Sequence, residues 1–102
     1  MDLKAGTRLR SVADATEVVI VRAPSEPVDL RCGGHPMVAL DADVPDGGSV
    51  EAGFDEGSQL GKRYADENTG LEVLCTKGGQ GTLSLGVDPL PMKGAKPLPS
   101  SD

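Results

Sequence analysis

Apolar residues in this chain come in short runs, each closed by polar, glycine or proline residues. "TEVVIVR" at 16–22 and "LEVLCTK" at 71–77 are rich in aliphatic and β-branched side chains, which suit a pleated strand. Pro24, Ser25, Glu26 and Pro27 follow the first run, and Gly78, Gly79, Gln80 and Gly81 follow the second. After each of these turn-forming clusters a further strand comes in, "VDLR" at 28–31 or "TLSLG" at 82–86. No segment repeats its apolar residues at a helical period. The pattern predicts an all-β protein built of β-hairpins.

The two hairpins resemble each other. Sliding the chain by 55 residues lays 6–37 on 61–92 without a gap and pairs Gly6 with Gly61, Arg8 with Arg63, Glu17 with Glu72, Val18 with Val73, Leu30 with Leu85, Pro36 with Pro91 and Met37 with Met92. These are seven identities in 32 pairs, where ordinary residue frequencies give about two. The organisation predicted is one β domain over 1–92, made of repeat 6–37 and repeat 61–92 in a pseudo-two-fold arrangement. An acidic connector, 38–60, joins the repeats, and 93–102 forms an extended tail. Within the connector Asp46-Gly47-Gly48 has the composition of a turn, and the spacing of its acids does not follow a calcium loop.

Composition sharpens this picture. Leu, Ile, Val and Phe supply 23 of 102 residues, with one Tyr and no Trp, so neither hairpin has the material for a core of its own. Packing against each other, against a partner, or by self-association is what such a chain requires. The net charge of −6, with ten bases scattered in ones and twos, opposes nucleic acid and anionic membrane. With no long apolar run, no leader and only two cysteines, the chain reads as a cytoplasmic protein.

"RYADENTGLEVLCTKGGQGTLSLGVDPLPM", 63–92, resembles the desulforedoxin-like family, in which a Tyr-x-Cys-x-x-Cys-Gly knuckle leads to a strand, a Gly-rich turn, and a second strand ending in Cys-Cys-Gly and then Met. Tyr64 and Gly70 frame the knuckle, "LEVL" and "GGQGTL" match the strand and turn, and Met92 matches the close. The knuckle cysteines are replaced by Asp66 and Thr69, and the paired cysteines by residues of "SLGVDP". The first copy carries Ser11 and Asp14 at its knuckle and keeps one thiol, Cys32, in "RCGGHPM". Family members bind one iron per subunit through four thiolates and pair as dimers. The resemblance therefore implies that dimer fused into one chain, with the iron ligands lost.

The function expected is a non-catalytic accessory or interaction subunit without a cofactor, binding a larger protein or enzyme complex through strand edges and the tail. The alternative is a small zinc or iron protein, or a redox protein, using Asp14, Cys32 and His35. Cys75, which pairs with Ile20 across the repeat, is expected in the core. "TKGGQGT" at 76–82 lacks the Gly-Lys-Ser/Thr order of a phosphate loop and reads as a hairpin turn.

Overall fold

A computed structural model describes residues 3–42 and 49–92. The connector turn at 46–48 and the tail from 93 lie outside the described residues. No helix occurs among those described, in keeping with the β-rich runs. Among the described residues nine strands form two antiparallel sheets: β1 (Arg8–Arg10), β2 (Glu17–Arg22), β3 (Leu30–Cys32), β4 (His35–Pro36), β5 (Val38–Ala39), β6 (Arg63–Ala65), β7 (Glu72–Lys77), β8 (Leu83–Leu85) and β9 (Asp88–Pro89). The larger sheet runs β5-β1-β2-β7-β6 and the smaller β4-β3-β8-β9.

Burial alternates along the long strands. Val18 and Ile20 of β2, and Val73 and Cys75 of β7, turn inward with Leu9 and Tyr64, while Leu30, Cys32 and Leu83 do so from the smaller sheet. One apolar cluster thus contains the inward side chains of both sheets.

The predicted hairpins are corrected. β2 does not fold back on β3: it pairs with β1 and β7, whereas β3 pairs with β4 and β8. "TKGGQGT" likewise carries the chain from β7 in one sheet to β8 in the other. Pro24 and Pro27 have no N–H to give a ladder, and each connection works as a crossover between sheets. The actual hairpins are β1–β2, β3–β4, β6–β7 and β8–β9. Gly33 and Gly34, at φ 66° and 88°, make the two-residue turn of β3–β4, which needs positive φ at both positions.

Hydrogen bonds recur along the chain at a spacing that changes once. Gly6 N–H donates to Ile20 O and Gly61 N–H to Cys75 O, while Ser11 N–H donates to Thr16 O and Asp66 N–H to Leu71 O, all at a spacing of 55 residues. Past the crossovers the spacing is 53. Met37 N–H donates to Leu30 O and Leu90 N–H to Leu83 O, and Gly33 N–H donates to Thr82 O where Gly86 N–H donates to Asp29 O. The second crossover, 78–82, is two residues shorter than the first, 23–29. In this part of the chain the hydrogen bonds match Leu83 and Leu90 with Leu30 and Met37, where the ungapped sequence match has Leu85 and Met92.

Candidate functional site

The segment joining β1 to β2 is a tight knuckle closed by Ser11 N–H to Thr16 O at 2.9 Å. Ser11 Oγ accepts the amides of Ala13 at 3.0 Å and Asp14 at 3.2 Å, which orients Asp14 toward the sheet junction. There Asp14 Oδ2 accepts the Thr16 hydroxyl at 2.6 Å and the Gly81 amide at 2.7 Å. Cys32 Sγ faces Oδ1 at 3.7 Å. One carboxylate thus gathers a knuckle, a crossover loop and a strand of the smaller sheet.

The knuckle between β6 and β7 has the same plan with the chemistry reversed. Asp66 stands first and accepts the amides of Asn68 and Thr69, with the Thr69 hydroxyl on its Oδ2 at 2.7 Å. In one knuckle a hydroxyl leads and a carboxylate follows three residues later; in the other the order is opposite.

Electrostatics keep Cys32 protonated. Its side chain is fully buried, and burial, followed by the nearby negative charge of Asp14, pushes its thiol up to about 12. Partial burial of Asp14 acts to raise its pKa, but hydrogen bonds from Ser11, Thr16 and the Gly81 amide outweigh that and hold it below the ordinary carboxylate value. Cys75, also fully buried, lies against the Lys77 carbonyl at 3.2 Å, and burial raises its thiol as well.

Of the three candidate ligands, the fold brings Asp14 and Cys32 together. His35 sits opposite Cys32 on β4, but its Nε2 is 2.8 Å from Ser49 O and 3.4 Å from Glu51 Oε2. Among the described residues no group of three or more His, Cys, Asp or Glu side chains is placed to hold a metal ion. The donor set also does not fit the four-thiolate iron centre that the resemblance implies. The corresponding positions offer a hydroxyl, a carboxylate already holding three donors, one protonated thiol and, at Gly33, no side chain.

Among the described residues small clefts open between the sheets. One, of about 160 Å3, is lined by Leu9, Leu30, Pro36 and Met37 among others, and another, of about 230 Å3, by residues that include Tyr64, Leu83, Pro89 and Leu90. Neither is lined by a cysteine or histidine. Sequence reasoning missed Thr16 and the two glycines at 79 and 81 as parts of the Asp14 network. In the sequence Thr16 reads as the start of a strand and the glycines as a turn, and only their closeness to Asp14 in space reveals the role. In comparisons with family models, curated proteins and solved structures, nothing matches this chain.

Proposed function

We propose that this chain is a non-catalytic accessory protein of desulforedoxin-like ancestry that acts in the cytoplasm by binding a larger protein. The observation that carries it is the closed Asp14 network. At the positions where the resemblance expects iron ligands, the polar groups are hydrogen-bonded to one another and the surviving thiol is buried and protonated. Groups committed in this way offer no thiolate, and the carboxylate must give up donors it already holds before it can serve a metal. What remains is a scaffold and its surface.

Ancestry by duplication draws support from the recurring hydrogen bonds and from the strand orders, in which β2 meets β7 and β3 meets β8 at the sheet centres. A pseudo-two-fold relation between two copies accounts for both, with a two-residue shortening of the second crossover. The smaller sheet ends in β4 and β9, each carrying a proline, Pro36 or Pro89, a device that discourages strand addition. The larger sheet ends in β5 without one, whereas at its other end Pro91 and Met92 already lie against β6, with Ala65 N–H donating to Pro91 O at 3.0 Å, which makes the β5 edge the better place for a partner.

The test is purification of the full chain at native expression level, followed by elemental analysis and identification of retained proteins. A stoichiometric partner with well under one equivalent of zinc or iron is the expected result. Stoichiometric metal that disappears on Cys32→Ser, or a chain that retains no partner, overturns the proposal.

A further inference from the structure

The outward face of the larger sheet differs in charge from the rest of the chain. Opposed residues of antiparallel strands share a face. The register Arg8 to Val19, Val19 to Leu74 and Leu74 to Arg63 therefore lines up two aliphatic side chains flanked by two guanidinium groups across β1, β2, β7 and β6. In the next row Glu17 lies opposite both Arg10 and Lys77, and on the other side Arg22 lies opposite Glu72. The face thus holds five bases against two acids. The other described residues hold three bases against ten acids. Arg8, Arg22, Arg63 and Lys77 are exposed, with Arg63 Nη1 3.4 Å from the buried Glu72 carboxylate, while Val19 and Leu74 are half-buried between them.

We infer that this face, on a chain of net charge −6, is the docking surface for an extended segment of a partner protein that alternates carboxylate and aliphatic side chains. The inference rests on the accessory role proposed above. Arginine forks pair with carboxylates, and the Val19–Leu74 strip gives the aliphatic positions an apolar seat. A second copy set face to face would place arginine against arginine. A nucleic acid or anionic membrane extends past the face and meets the acids that dominate elsewhere, whereas a short segment does not.

The test uses the full chain, isotope-labelled for amide NMR, titrated with a synthetic peptide alternating Glu and Leu. A Lys/Leu peptide of equal length, a single-stranded oligonucleotide and phosphatidylserine vesicles serve as comparisons. The expected result is saturable shifts confined to 8–10, 17–22, 63–65 and 72–77, produced by the Glu/Leu peptide and weakened by salt. Arg8→Glu with Arg10→Glu weakens binding by roughly tenfold or more, and Arg8→Gln with Arg10→Gln by less, with thermal unfolding checking that each is folded. If the charge-reversed pair does not fold, the glutamine pair carries the test. Shifts elsewhere, undiminished affinity in a folded variant, or stronger binding of the oligonucleotide or vesicles overturns the inference. A native partner retained by Arg8→Gln with Arg10→Gln also overturns this surface but leaves the accessory role standing. Failure of the wild-type chain to retain any partner removes that role whatever the peptide does.

Discussion

Cys32 Sγ lies 3.7 Å from Asp14 Oδ1, a thiol from the smaller sheet held against a carboxylate from a knuckle of the larger one. The contact joins residues eighteen apart in sequence, and the other oxygen of the same carboxylate binds Thr16 and Gly81. Burial, and after it the charge of the carboxylate, keeps the thiol neutral, while hydrogen bonds from Ser11, Thr16 and the Gly81 amide keep the carboxylate charged. The pair therefore works as a structural tie, and its strength, reactivity and pH response are measurable.

Cys32 should be chemically silent in the folded protein. With its thiol pushed up to about 12, the thiolate fraction at pH 8 falls by roughly a thousandfold against a free cysteine of pKa about 8.5. Reaction with a disulfide reagent is expected to be slow in buffer and fast in urea. Because the folded value is raised, the associated stability is complete below the unfolded value and is lost as pH rises from there toward 12. Native labelling at the rate of a small-molecule thiol would contradict the buried, protonated state.

Asp14 should make the protein acid-sensitive in a traceable way. Its folded pKa is lowered, so its contribution is complete above the unfolded aspartate value of about 3.9 and is lost as pH falls through the lower folded value. Asp14→Ala leaves the Gly81 amide without its acceptor and should cost about 1–3 kcal/mol in urea unfolding at neutral pH. Asp14→Asn keeps an acceptor oxygen and should cost less. The stability gap between wild type and Asp14→Asn should narrow as pH drops below about 4. A gap independent of pH would remove Asp14 from the acid response.

Gly79 and Gly81 should resist substitution because the crossover loop lies directly on the network. A Cβ on Gly81 would fall 2.8 Å from Cys32 Sγ and 2.9 Å from the Gly33 amide nitrogen, and one on Gly79 would collide with Asp14 Oδ2 and Thr16 Oγ1. Either change to Ala forces the loop away from Asp14, at a cost of about 1–3 kcal/mol. Urea midpoints unchanged from wild type in both variants would show that the loop does not need this close approach.

The positions of β2, β3, β7 and β8 were legible in the sequence because β-branched and aliphatic runs state them locally, as "TEVVIVR" does for β2, whereas the short strands β1, β4, β5, β6 and β9 have no such run. Strand partners were not. β2 meets β7 far along the chain, whereas a hairpin reading looks only to the next strand. The ungapped match sets Leu85 and Met92 against Leu30 and Met37, whereas the hydrogen bonds past the crossovers recur at a spacing of 53 residues, a difference that lies in loop length and not in strand residues. Arg8, Arg10, Arg22, Arg63 and Lys77 look scattered in the sequence and become one face only after four strands are paired. At the site, Asp14 and Cys32 were visible as chemically unusual residues. Their use against each other, and the turning of His35 toward residues 49–51, depended on contacts that no local spacing encodes.

His35 should act as a clamp on the returning connector. Its Nε2 lies 2.8 Å from Ser49 O, and Glu51 N–H donates to Gly33 O at 3.0 Å in the β3–β4 turn that His35 ends. Glu51 is also drawn toward His35 Nε2 at 3.4 Å, but both side chains are substantially solvated, so screening leaves that contact little weight. His35→Ala should therefore speed hydrogen exchange at the Glu51 amide while changing global stability by less than about 1 kcal/mol. Glu51→Gln, which keeps the Ser49 contact, should leave that exchange close to wild type. Amides of Val18 and Val73, in the central strands, should exchange at the wild-type rate in both variants, since only the loop opens. Unchanged exchange at Glu51 in His35→Ala would mean that the backbone bond to Gly33 holds the connector without help. Accelerated exchange at Val18 and Val73 would mean that His35 supports the whole fold.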